Sequence, residues 1–345
     1  MDVYTVNPLT DPRWETLVAR HPCASVFHQR GWLAALAETY GYEPIALCGA
    51  SADQQLSCGI VFCWISSWIT GARLVSLPFS DHCDPLVGDA SEFDFVFAHL
   101  QGQNAERKYK YIEVRALTSV ATVSSGLRET ASFCFHMLDL RDDLPRIFGG
   151  FHKDCVQRKI RRAEREQLSC ETGTSEESIR QFYRLLVRTR KRHNLLPQPL
   201  AWFRNLARLM GDRLTIRIAK KGGIPIAGLL SLRHRETVVY KYGCSDERFH
   251  NLGAVPFLFW NLIKDSKGAG VEQLDFGRSD WSQQSLVLFK DRFGAVRSTL
   301  NYFRLSRGNE SSKTPLIAPM IQRGVPYMPD AILCVAGSIA YRHVG

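Results

Sequence analysis

RLTIRIAKKGGIPIAGLLSLRHRETVVYKYGCS, residues 213–245, alternates apolar and polar side chains with period two in LTIRIA and again in TVVYKYG. That is the pattern of strands with one face buried. KKGGIP between the apolar runs supplies a turn, so the stretch predicts an antiparallel meander. Upstream, LSCETG (168–173) predicts a strand, and SEESIRQFYRLLVRTRKRHNL (175–195) a helix capped by Ser175 with an apolar stripe of Ile179, Phe182, Tyr183 and Leu186. PLAWFRNLARLMG (199–211) predicts a second helix, stopped by Gly211. Downstream, NLGAVPFLFWNLIKDSKGAG (251–270) predicts a helix, VEQLDFGRS (271–279) a strand that breaks at Gly277, LFKDRFGA (288–295) a short helix and RSTLNYFRL (297–305) a last strand.

The first 140 residues predict another mixed α/β unit. EPIALCGA (43–50), SCGIVFCW (57–64), RLVSLPF (73–79), KYIEVRAL (110–117) and ASFCFHMLDL (131–140) predict strands, and 91–107 a helix. Between the units a single long helix is expected over about 142–167, with Phe148, Phe151, Cys155, Ile160 and Ala163 on one side and Arg158, Lys159, Arg161, Arg162 and Arg165 on the other. The expected division is 1–145, 146–308 and a tail 309–345 that returns to the first domain.

A chain of 345 residues is long enough for two cores. Net charge is +10 but uneven: residues 1–140 hold 9 Lys/Arg and 15 Asp/Glu, a balance of −6, and the rest hold 35 and 19, a balance of +16. The asymmetry predicts an anionic partner for the second half. The ten cysteines include no CxxC pair and no zinc spacing. The chain starts without a secretory pattern, and its most apolar stretch, 58–71, is too short to span a bilayer. A reducing cytoplasm is the expected compartment, with peripheral membrane contact through the apolar end of the tail as an alternative to its return.

In LFKDRFGA, Phe289 and Phe293 are four apart and share a helix face, Gly294 ends the helix, and Lys290 is held beside an apolar anchor. HNLGAVPF (250–257) enters a helix and offers an anion site around Asn251 and Gly253. Asp275 and Arg278 suit either a turn cap with a local pair or a binding role, and His193 either a helix end or a ligand contact. No G-x-S-x-G context surrounds a serine, so no covalent nucleophile is expected.

The order strand, helix, helix, meander, helix, strand, strand resembles the GNAT acyltransferase fold. HKDCVQRKIRRAERE (152–166), VVYKYGCSD (238–246), AVPFLFWNLIKDSKGAGVEQLDFGR (254–278) and LFKDRFGA resemble segments of the Fem peptidoglycan-bridge aminoacyltransferases and their FemAB-like relatives. FHQRGWLAALAETYGYEP (27–44) and RLVSLPFSDHCDPLV (73–87) resemble the N-terminal parts of FemAB-like proteins associated with exopolysaccharide and exosortase systems. The resemblance covers about 25–310 and lacks the coiled-coil arm of some bridge-forming members. It implies an α/β (α+β) architecture of tandem GNAT-like domains with a substrate groove between them. It implies an N-acyltransferase acting on an amine of a cell-envelope or polysaccharide precursor, anionic or lipid-linked. Acyl-coenzyme A or aminoacyl-tRNA would be the cosubstrate, with no tightly bound cofactor. By resemblance Lys290 neutralises charge at the reaction centre, Tyr242 contacts the acceptor, and Asp81 or Asp84 accepts the proton. Arg158, Lys159, Arg162, His193, Asp275 and Arg278 would bind substrate. The rival expectation is a non-catalytic module whose basic half binds nucleic acid or an anionic membrane.

Overall fold

The computed structural model describes residues 2–51, 53–103, 109–117, 126–306 and 324–344. The polar start of the tail, 308–315, and the end of the helix expected over 91–107 lie outside them. The described residues form two units, one of 2–133, 299–306 and 339–344, the other of 134–298 and 324–338.

The first unit begins with β1 (Asp2–Val6), α1 (Pro12–Arg20) and α2 (Arg30–Tyr40). Pro12 stands at the start of α1, and the Asp11 side chain accepts from the Arg13 N–H. β2 (Glu43–Ala50), β3 (Leu56–Ile65), β4 (Arg73–Val75), α3 (Ala90–Gln103) and β5 (Tyr111–Ala116) follow. β1 to β4 are antiparallel, and β4 and β5 are parallel over three pairs, Arg73–Tyr111 to Val75–Glu113. The sixth strand, antiparallel to β5, comes from the far end of the chain, in β12 (Val296–Ser306). Leu47, Ile60, Phe62, Leu74, Phe93, Phe97, Ile112 and Val114 fill the core between sheet and α3.

The second unit repeats this plan with no residue identity to announce it. β7 (Ser169–Gly173), α6 (Glu176–Arg192) and α7 (Leu200–Met210) precede the antiparallel β8 (Leu214–Lys221), β9 (Ile224–His234) and β10 (Thr237–Ser245). The β8–β9 turn is Gly222-Gly223, both at positive φ, which side chains disfavour. α8 (Ala254–Gly268) crosses over to β11 (Gln273–Ser279), parallel to β10. The sixth strand is again taken from elsewhere, the 134–139 half of β6 (Arg128–Asp139), antiparallel to β11. The chain therefore forms two GNAT-like units in tandem, and each is completed by a strand that does not follow its fifth strand directly in the same unit.

The long helix expected over 142–167 is broken. α4 (Leu144–Gly150) ends at the Gly149-Gly150 pair, Phe151 is extended, and α5 (Arg158–Arg165) follows a wide helical turn, Lys153–Gln157. His152 enforces the break: its N–H donates to the Arg292 carbonyl (2.8 Å), and its ring nitrogen Nδ1 accepts from the Asp154 and Cys155 N–H groups. Phe151 is freed to turn inward against Phe293 and Trp260. α9 (Gln284–Asp291) and α10 (Asp330–Val344) complete the elements used below. In α10 Leu333 packs with Val187 and Val325 of the second unit. Tyr341 and His343 belong to the first unit, where their carbonyls accept from Tyr42 (2.6 Å) and Arg73 (2.7 Å).

Candidate active site

β10 and β11 pair over three residues only, Thr237–Gln273, Val238–Leu274 and Val239–Asp275. Beyond that β10 continues with β9 and β11 with β6, not with each other. Each strand has a register shift at the point of parting, between Tyr240 and Tyr242 and between Asp275 and Gly277. A bulge bends its strand and raises the local twist, so paired bulges drive the two strands apart. Gly277 takes φ +69°, and the Asp275 carboxylate accepts its N–H at 2.6 Å. Asp275, 1% exposed, thus caps the turn that opens β11.

Lys290 serves the same opening. The sequence suggests a lysine aimed at a ligand, but the side chain is 2% exposed and its Nζ donates to the carbonyls of Gly277 (2.8 Å) and Arg278 (3.0 Å). Two of its three N–H groups are therefore spent on the backbone of β11. Phe293, fully buried against Phe151, Phe259 and Phe276, fixes α9, whereas Phe289 is only partly buried. Gly294 turns the chain at φ +74°. Next to Lys290, Asp291 bonds His136 (3.1 Å) and Arg297 (2.6 Å). The Arg297 guanidinium holds Asp291 below its ordinary value and burial holds His136 below its own, and the Asp291 carboxylate accepts from the His136 ring. The Cys134 sulfur lies 3.8 and 3.9 Å from the two nitrogens of His136, long contacts shared between both, and burial pushes its thiol up. This is not the geometry of an activated nucleophile.

The bulge also corrects the reading of Tyr242. Lys241 is the extra residue, since Tyr240 pairs with Ser231 and Tyr242 with Leu230. The two tyrosines consequently face opposite sides of the sheet. Tyr240 packs on Phe259 and Phe276, and Tyr242, 7% exposed, packs on Phe203 and accepts from Trp202 Nε1 at 2.9 Å. Tyr242 is a core residue on the α7 side. Tyr242→Phe should lower stability by about 1 kcal/mol, the worth of one buried hydrogen bond, and leave turnover within a few-fold. Chemical denaturation and a rate assay check both.

The start of α8 lacks a side-chain cap. Its first N–H groups, Ala254 and Val255, have no acceptor within the helix by position, and Pro256 has no N–H. Gly253 sits at φ +76°, and a Cβ there would come within 2.3 Å of the Lys159 carbonyl. That close approach explains the glycine. Asn251 is exposed in the preceding 3-10 turn. His250 bonds Ser245 (2.9 Å), and burial, then Arg192 and Lys159, hold it below its ordinary value. Lys159 packs against Gly253, and Arg192 donates to the carbonyl of Ser245 at 3.2 Å, the residue whose hydroxyl bonds His250. The equivalent helix of the first unit differs. The Asp89 carboxylate accepts from Glu92 N–H (2.9 Å) and the Glu92 carboxylate from Gly88 N–H (2.6 Å), so α3 begins on two acids. β4 and β5 also pair over three residues only, but beyond them the edge of β5 is taken by the chain that follows β4, where the Cys83 N–H donates to the Arg115 carbonyl at 2.7 Å.

The basic cluster on α5 divides by helical spacing. Arg158, Arg161 and Arg165 join Lys153, Asp154 and Gln157 around a cleft of about 420 Å³. Lys159 and Arg162 are exposed but do not line it, and Arg162 lies 4.0 Å from Glu166. His193 is exposed at the C-terminal cap of α6. Arg278 is half-buried, and its carbonyl accepts from Lys290. Asp81 lies in the first unit, half-buried, its carbonyl accepting from Tyr302 (2.6 Å). Asp84 is more enclosed, its carboxylate accepting from Leu117 N–H (2.8 Å) 3.5 Å from His82. Sequence reasoning put Arg161 with Arg158, Lys159 and Arg162 on one basic face lining or flanking a groove and missed Arg165, which its i, i+7 spacing from Arg158 could have found. It also missed the β10–β11 split, which no single residue signals.

Residues 152–284 match the acetyltransferase (GNAT) domain family. The matched residues lie within the second unit. The whole chain shares its fold with solved structures. It superposes on the crystal structure of FemX with a TM-score of 0.69 at 12% identity, covering 89% of this chain and 98% of FemX. A tandem GNAT protein from the clavulanic acid biosynthesis pathway, solved without AcCoA, gives a TM-score of 0.56 at 11% identity, with 90% and 100% covered. The C-terminal domain of a putative lysylphosphatidylglycerol synthetase from Agrobacterium fabrum gives 0.55 at 13%, with 87% and 92% covered. No curated protein matches the chain in sequence.

Proposed function

We propose that the protein transfers an acyl group from an acyl-coenzyme A thioester to an amine, and that the donor binds in the second unit. The observation that carries this reading is the contrast between the units. In the second, parallel strands part after three pairs, and the helix start is uncapped, with Lys159 against Gly253 and with Arg192 and His250 both bonded to Ser245. In the first, β4 and β5 also part after three pairs, but the Cys83 N–H takes the Arg115 carbonyl beyond them and the helix starts on Asp89 and Glu92. A pyrophosphate is attracted to free N–H groups and cations and repelled by two carboxylates. In the reaction the amine nitrogen attacks the thioester carbonyl, the C–N bond forms and the C–S bond breaks. The amine gives up one proton and the departing thiolate takes one. Backbone N–H groups on the parted edges suit the developing oxyanion.

The acceptor in this reading is an anionic cell-envelope or polysaccharide precursor held at the α5 cleft by Lys153, Arg158, Arg161 and Arg165. Arg158→Glu with Arg161→Glu should raise the KM for a phosphate-bearing acceptor about tenfold or more at low salt, since screening is then weak. Melting should be unchanged, because exposed charges contribute little to stability. An unchanged KM would make the cluster a solvated face.

A further inference from the structure

α10 turns an apolar stripe outward. Ile332, Val335 and Ile339 recur at three and four residues, share one side of the helix, and are 55%, 60% and 59% exposed. At the C-terminal end Val344 is 62% exposed, and Trp68 stands 88% exposed with its ring 6.0 Å from His343. Ile69 beside it is also exposed. The other side of the helix is committed to packing through Leu333 and Gly337. The charges along α10 favour one sign. Its single acid, Asp330, is tied to Lys191 at 3.2 Å. Arg342 is exposed with no acidic partner among the described residues. α6, which packs on α10 through Val187 and Leu333, ends in Arg190, Lys191 and Arg192.

We propose that this face of α10, with Trp68, docks on a lipid bilayer that carries anionic headgroups. Isoleucine and valine side chains offer a partner no hydrogen bonds to match, which suits hydrocarbon more than a polar protein surface. An exposed tryptophan at the rim suits headgroup depth, with an apolar ring and one N–H donor. The cations at both ends of the helix complement anionic lipids. The 15 residues of α10 reach about 22 Å, short of a hydrocarbon core of about 30 Å. No helix among the described residues is long and apolar enough to cross a membrane, so α10 lies on the surface. This inference stands independently of the acyl-transfer reading.

Co-sedimentation of the full chain tests it, with vesicles of phosphatidylcholine alone and vesicles with about three in ten lipids replaced by phosphatidylglycerol. The protein should bind the anionic vesicles about tenfold or more tighter than the neutral ones. Ile332→Gln with Ile339→Gln should weaken both by about tenfold or more without changing the melting temperature, because both side chains are exposed. Arg342→Glu should weaken binding to the anionic vesicles only. Wild-type protein that stays in solution with both vesicles at low salt overturns the proposal, as does a double variant that binds like wild type. A dimer that the same double variant disperses would assign the face to a second copy and also overturn it.

Discussion

Lys290→Met should cost the protein about 2 kcal/mol of stability and lower turnover about a hundredfold. The stability loss follows from the two carbonyls that the Nζ now satisfies, Gly277 at 2.8 Å and Arg278 at 3.0 Å. Hydrogen bonds to a charged group are worth roughly 1.5–3 kcal/mol each, and removing a buried charge returns part of that. The turnover loss follows from position. These carbonyls lie on β11 just past its parting from β10, so losing their anchor lets the edge of the split move, and misplacement of about 1 Å is enough for a hundredfold loss. Lys290 acts through the backbone. Its loss should therefore appear in kcat at saturating donor and acceptor, with a lower urea midpoint. A direct ligand contact would spare the midpoint. A Met variant with wild-type midpoint and rate would leave Lys290 without either role.

Gly253→Ala should be strongly damaging. The added Cβ meets the Lys159 carbonyl at 2.3 Å, and the residue holds φ +76°. Left-handed backbone costs an alanine about 1–2 kcal/mol. Relieving the clash requires α5 and α8 to separate, which raises the loss to about 3 kcal/mol or more. Gly41→Ala is the control. It carries φ +73° with no atom within 4 Å of its Cβ, so only the backbone cost of about 1–2 kcal/mol remains. Denaturation of both variants checks the difference, and equal losses would contradict the packing at Gly253.

Much of the second unit is legible in its sequence because local signals and tertiary demands agree there. Period-two alternation marks β8 and β10, the Gly222-Gly223 turn joins β8 to β9, and Ser175 caps α6 by accepting from the Ser178 N–H. What sequence could not show depends on residues far apart in the chain. The break at Phe151 needs the Arg292 carbonyl to receive the His152 N–H. Tyr240-x-Tyr242 reads as one strand face, but the bulge at Lys241 sends the rings to opposite faces. Lys290 reads as a free cation because lysines are seldom buried, and only the turn at Gly277 supplies the carbonyls that bury it. The sixth strand of each unit pairs with a strand of distant sequence, which a left-to-right reading assigns to the wrong neighbour.

The central claim is that the second unit binds an acyl-coenzyme A at the start of α8. Thermal unfolding with acetyl-coenzyme A measures it directly. At about 100 times its dissociation constant the ligand should add roughly 2.7 kcal/mol of stability. Lys159→Glu with Arg192→Glu should abolish most of that gain while leaving the unliganded melting temperature nearly unchanged. No stabilisation by acetyl-coenzyme A or longer acyl-coenzyme A thioesters, or full stabilisation in the double variant, would contradict the account.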